Sequence, residues 1–96
     1  MGTPWEVGTV TKVHPRVVRR HPELSDDDVT EAWEHFEVAA VRVPGEVEMR
    51  IGYDLKGRRI EMAGRLLASG WLVYHAMTPP SKKTEREIAE AMRRGY

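Results

Sequence analysis

At Glu37 the spacing of apolar residues changes, and this change constrains the fold more than any other feature of the chain. Before it, Val29, Ala32, Trp33 and Phe36 recur at helical spacing. Ser25 stands ahead of them as a cap, and Asp26, Asp27 and Asp28 occupy the first turn, where carboxylates favour the positive end of the helix dipole. The spacing predicts a helix from that cap to Glu37. After it, Val38 to Val43 is a β-branched run ending at Pro44-Gly45, and Val47, Met49, Ile51 and Tyr53 alternate with Glu48, Arg50 and Gly52. Ile60, Met62 and Gly64 alternate with Glu61, Ala63 and Arg65, and a loop near Ala68-Ser69-Gly70 leads into an apolar strand from Trp71 to Thr78.

Prolines and caps delimit the rest. His14-Pro15 and His21-Pro22 bracket a basic two-turn helix over 15–20. Ser81 caps a last helix with Ile88, Ala91 and Met92 on its buried stripe, Arg93 and Arg94 in the last turn and Gly95 as its stop. A chain of 96 residues is one domain with a small core. Residues 1–96 are read as that domain, with 1–11 as an N-terminal extension. The order helix, helix, four strands, helix implies an α+β fold: a four-stranded antiparallel sheet with two N-terminal helices and one C-terminal helix. Helices at both ends of the chain most simply cover one face and leave the other open.

On that open face alternation places Glu61, Arg65 and Arg50. The side taken by His75 depends on the preceding turn. An odd loop centred on Ser69 turns Leu72, Tyr74 and Ala76 inward and His75 outward, whereas a two-residue Ser69-Gly70 turn reverses this. The expectation is the odd loop, with His75 outward. His75, Glu61 and Arg65 are then the candidate catalytic residues, and Arg20, Arg50, Lys82, Lys83 and Arg86 the candidate RNA-binding residues. Cleaving RNA requires a base for the 2′-hydroxyl, charge stabilisation at phosphorus and an acid for the departing 5′-oxygen. Imidazole titrates near neutrality, and this histidine with its cations meets those needs without a metal or cofactor. Lys82 and Lys83 oppose the helix dipole where they stand, which points to an anion nearby.

The other polar residues exclude more than they offer. The 15 basic and 15 acidic residues cancel, so bulk charge implies neither nucleic acid nor a membrane, but Lys12, Arg16, Arg19 and Arg20 are segregated from an acidic block over 23–37. Cysteine is absent, which removes disulfide and thiolate chemistry. No apolar run is long enough for a membrane span or signal peptide, and the cytosol is the simplest compartment. The four histidines lack metal-ligand spacing; His14 and His21 read as caps or solvated side chains and His35 as an exposed residue. No phosphate loop or serine-histidine-acid pattern is present.

Three segments resemble the BrnT-type toxins of bacterial type II toxin-antitoxin pairs, small ribonucleases with a RelE-like fold. Arg19-Arg20-His21-Pro22-Glu23-Leu24-Ser25 is similar to that family's basic His-Gly segment leading into a capped helix. Gly57-Arg58-Arg59-Ile60-Glu61-Met62 resembles its strand after a Gly-Arg turn. Tyr74-His75-Ala76-Met77 through Thr84-Glu85-Arg86 resembles its passage from strand to helix, which in many members reads Ile-Ser-Ala-Arg and then Glu-Arg; a His-Ala-Met variant is familiar in related bacterial proteins. The likeness covers residues 12–95. It implies RNA cleavage that inhibits translation and growth, RNA as substrate and a cognate antitoxin as partner. Met77 stands where the Ser-Ala-Arg form has its arginine, and Pro79-Pro80 is inserted before the helix. Either His75, Lys82 and Lys83 replace that arginine or the chain keeps only partner binding, so a noncatalytic protein-binding module is the alternative.

Overall fold

The computed structural model describes residues 10–94. Most of the 1–11 extension and the Gly95 stop therefore lie outside the described residues. The chain runs β1 (Val10–Val13), α1 (Pro15–Arg20), α2 (Asp26–Glu34), β2 (Val38–Val43), β3 (Val47–Tyr53), β4 (Arg59–Leu67), β5 (Gly70–Met77) and α3 (Lys82–Arg93). The class is α+β with three helices, but the sheet has five strands in the order β1-β5-β4-β3-β2. This corrects the four-stranded antiparallel expectation. β1 pairs in parallel with β5, from Val10 opposite Gly70 to Val13 opposite Val73, and the other pairs are antiparallel. Four residues are too few to show a period, and their partner lies about 60 positions away, so local pattern carries no sign of β1.

α2 begins where its caps dictate. Ser25 Oγ accepts from the Asp28 amide at 3.0 Å, and Asp28 Oδ2 accepts from the Ser25 amide at 3.1 Å. The helix ends at Glu34, a turn before Glu37, because the Glu37 amide donates instead to the Ile51 carbonyl at 2.8 Å and starts the β2–β3 pairing. At the next hairpin the buried Asp54 carboxylate accepts from the amides of Lys56 and Arg58 at 2.9 and 2.7 Å and from Arg58 Nε at 2.7 Å. Arg58 also reaches the Glu23 carbonyl and Asp28, tying this turn to the start of α2.

Both faces of the sheet carry helices. α1 and α2 cover one, where Val17, Leu24, Val29 and Trp33 pack on Ile60, Met62, Val73 and Ala76. The Trp33 ring lies so close to β4 that a Cβ at Gly64 would collide with it. α3 crosses the opposite face, with Ile88 and Ala91 on Ala40 and Ile51. The expectation that all helices share one face is thereby overturned. The reason lies in the register. Ile51 stands opposite Glu61 and Arg50 opposite Met62, so the apolar sets of β3 and β4 point to opposite sides, and each needs its own cover.

Candidate active site

A β-bulge builds the site. Leu67 pairs with Gly70 across a two-residue Ala68-Ser69 turn, and regular pairing continues to Gly64 opposite Val73. Unbroken, that ladder would bring His75 opposite Met62, into the core. Instead the register shifts, Ala63 stands opposite His75, and Tyr74 is the extra residue. Tyr74 and His75, consecutive in sequence, therefore both reach one cavity with Glu61 and Ala63.

His75 Nε2 lies 2.8 Å from Glu61 Oε2, and Glu61 Oε1 accepts from the Ser81 amide at 2.7 Å. Ser81 is the N-cap of α3, its hydroxyl accepting from the Thr84 amide at 3.2 Å. The Glu61 carboxylate thus sits at the positive end of a helix, with only 5% of its side chain exposed. Burial pushes its pKa up, but the bonds from Ser81 and His75 outweigh burial and hold it below the usual carboxylate range. An ionised carboxylate only accepts, so the hydrogen between the two side chains belongs to His75 Nε2. The pairing leaves Nδ1 as the atom of His75 that can take or give a proton. The side chain is 39% exposed, which gives substrate access to it.

Cations surround this pair. The cavity, about 400 Å³, is lined by Arg16, Arg20, Arg42 and Lys83 as well as Tyr74, His75 and Glu61. Arg16 Nε donates to the Tyr74 carbonyl at 3.2 Å, and its guanidinium lies 5.9 Å from the Tyr74 ring centre. Arg42 makes two bonds to Glu87, both 2.9 Å. The bond to Glu87 raises the Arg42 pKa above its ordinary value against the effect of burial, while the same pairing holds Glu87 below its own. Among the described residues no ion-pair partner meets Arg20 or Lys83. With Arg42 offset by Glu87, the three cations Arg16, Arg20 and Lys83 around the Glu61 carboxylate still give the cavity an excess of positive charge suited to an anion.

The structure thus brings His75, Glu61, Arg20 and Lys83 together. Arg65 is exposed and faces an adjoining cavity with Arg16 and Tyr74. Lys82 and Arg86 are exposed on α3 and line neither of these cavities. The anion at the start of α3 is Glu61 itself, which answers the dipole that Lys82 and Lys83 oppose.

Arg50 lies on the other face altogether. Its guanidinium packs over the rings of Trp33, Phe36 and Trp71 at 4.1, 4.3 and 4.9 Å, and it donates to Glu48 and to the Trp33 carbonyl. It is a structural cation, and Phe36, expected in the buried stripe of α2, forms one wall of its cage. His14 caps α1 by accepting from the Arg16 amide at 3.1 Å, and His35 closes α2 beside Glu31. Sequence reasoning missed Arg16, Arg42 and Tyr74 as site residues. The four-residue spacing of Arg16 and Arg20 on α1 was the available signal for the first. The bulge that aims Tyr74 has none.

Among the described residues no group of three or more His, Asp or Glu is placed to hold a metal ion, and no helix is long and apolar enough to cross a membrane. Comparison with known protein families, curated proteins and solved structures finds no match to the chain.

Proposed function

We propose that this chain is a cytosolic ribonuclease toxin of a toxin-antitoxin pair, cleaving RNA without a metal and thereby inhibiting translation and growth. The observation that carries the reading is the His75–Glu61 pair, 2.8 Å apart, on the wall of a cavity with four cations. Glu61 orients the imidazole and keeps its hydrogen on Nε2, so His75 Nδ1 takes the proton of a 2′-hydroxyl. The 2′-oxygen then attacks phosphorus. Arg16, Arg20 and Arg42, which stay charged throughout, stabilise the developing charge on the phosphate oxygens. Of the cations lining the cavity only Lys83 is of a type that gives up a proton, and it serves the departing 5′-oxygen. The cognate antitoxin silences the protein by covering this cavity.

Cleavage of a labelled single-stranded RNA by the purified protein in EDTA tests the reading, with His75→Ala and Lys83→Ala prepared identically and checked for folding by circular dichroism. Cleavage by the parent chain that disappears in His75→Ala supports it. Absence of cleavage by folded parent protein, with or without ribosomes, removes it.

A noncatalytic complex-forming module is the second reading, and Met77 favours it. That residue pairs with Glu61 across the sheet and puts a thioether where the family it resembles has a guanidinium. Under this reading the protein binds an antitoxin-like partner tightly and turns over no RNA.

A further inference from the structure

Beside the His75 cavity lies a second, of about 330 Å³, whose walls include His14, Arg16, Arg65, Leu72 and Tyr74. Arg16 and Tyr74 belong to both, so the two cavities meet along that pair of side chains. Their chemistry differs. The first is built around an imidazole, a carboxylate and cations. The second sets an aromatic ring and an aliphatic side chain against a rim of two arginines. Leu72 stands opposite Arg65 across the β4–β5 pair, so apolar wall and cation are neighbours. His14 Nδ1 is taken up by the Arg16 amide, which leaves Nε2–H as a donor. Arg65 has no ion-pair partner among the described residues.

A flat group, apolar on its faces and polar at its edge, attached to a second anion, fits those walls; that is the chemistry of a nucleotide. We propose that the second cavity is the subsite for the nucleobase next to the cleaved phosphate, stacked on Tyr74 against Leu72, with Arg65 on the adjoining backbone phosphate. The inference rests on the ribonuclease reading above and adds a substrate class. A base held in a duplex stack cannot enter the cavity, so the protein acts on unpaired RNA. The bulge is what couples the two subsites, because it sends Tyr74 and His75 to the same side of the sheet.

The test uses the full chain and a short single-stranded RNA whose cleavage position has been mapped, together with two versions carrying an abasic ribose on one or the other side of that position. Removing the base on one side is expected to lower kcat/KM about tenfold or more. Tyr74→Ala is expected to slow the intact RNA by a similar factor and to add little to the loss on that abasic RNA, and the same sequence in a duplex is expected to resist cleavage. Leu72→Ala serves in its place if circular dichroism shows Tyr74→Ala unfolded. Abasic RNAs cleaved as fast as the intact one, or an equal slowing of intact and abasic RNAs by the variant, overturn the subsite while leaving the ribonuclease reading standing. A parent chain that cleaves none of the three removes both.

Discussion

The aromatic cage under α2 and the His75 cavity use arginine in opposite ways. Under α2, Arg50 is only 12% exposed, caged by three aromatic rings and bonded to Glu48 and a carbonyl. Burial holds its pKa below the ordinary guanidinium value, with Glu48 partly offsetting the effect. At the His75 cavity, by contrast, Arg16 and Arg20 of α1 and Arg42 of β2 line an open space beside a histidine, and Arg20 has no ion-pair partner among the described residues. A cation whose aromatic and polar contacts are already made holds the fold together. Of the cations round the cavity, Arg20 and Lys83 have no such contacts among the described residues and are available to a ligand. The residue type is the same, and whether its contacts are already made inside the fold decides which role it plays.

The largest effect that sharpens this contrast is at the pair itself. His75→Ala is expected to lower kcat/KM for RNA by about 10²–10⁴-fold, as for loss of a general base, in a protein that still folds but with a lower thermal midpoint because the buried Glu61 carboxylate loses one partner. Cleavage that persists at the parent rate would move the chemistry elsewhere. Next comes the opposite face. Trp33→Ala is expected to cost about 3–5 kcal/mol of stability by urea denaturation, because a fully buried ring is lost from above Gly64. Arg50→Ala is expected to cost about 2 kcal/mol by the same measurement, as for a desolvated cation over aromatic rings, and to leave the folded fraction as active as the parent. Selective loss of RNA binding in a folded Arg50→Ala protein would break the contrast.

Acid has a smaller and more diffuse effect. Glu61, Glu87 and Asp28 all titrate below the usual carboxylate range; at Asp28 burial works in the opposite direction, and the Ser25 amide and hydroxyl bonds, with Lys56 and Arg58, outweigh it. On acidification the unfolded chain binds protons at these positions first, near the ordinary carboxylate pKa of about 4. Their contribution is therefore complete above that value and is lost as pH falls through the lower folded-state values. Urea midpoints should fall between pH 5 and pH 3, and by less in Glu61→Gln than in the parent. An equal fall in both proteins would mean that Glu61 does not titrate as its bonds require. The smallest effects belong to Lys82→Ala and Arg86→Ala, on solvent-facing positions of α3, which should leave RNA cleavage near the parent rate in the same assay.

Much of the fold was legible where the signal is local. The caps Ser25 and Ser81, the prolines of the first helix and the Pro44-Gly45 turn placed three helices and four strands close to their observed bounds. What escaped is non-local. β1 depends on a parallel partner far along the chain, and the side taken by α3 depends on how β3 registers against β4. Arg50 was misplaced for the same reason, since one open face was assumed where two covered faces exist. His75 does share a face with Glu61, but not through the odd loop used to argue for it. The turn has two residues, and the extra residue that reverses the alternation is Tyr74, within the strand. No composition or period marks a bulge, so the feature that joins histidine, carboxylate and aromatic ring was invisible until the ladder was seen.

The role of the His75–Glu61 pair is best tested through the protonation pattern of the His75 ring, read from imidazole nitrogen shifts by NMR of the folded full chain, alone and with a single-stranded 2′-deoxy oligonucleotide that cannot be cleaved. Hydrogen on Nε2 bonded to Glu61, loss of that signature in Glu61→Gln, and a shift confined to Nδ1 when the oligonucleotide binds are the expected results. A hydrogen carried on Nδ1 in the neutral ring, or a ring indifferent to both Glu61 and the oligonucleotide, would contradict that role.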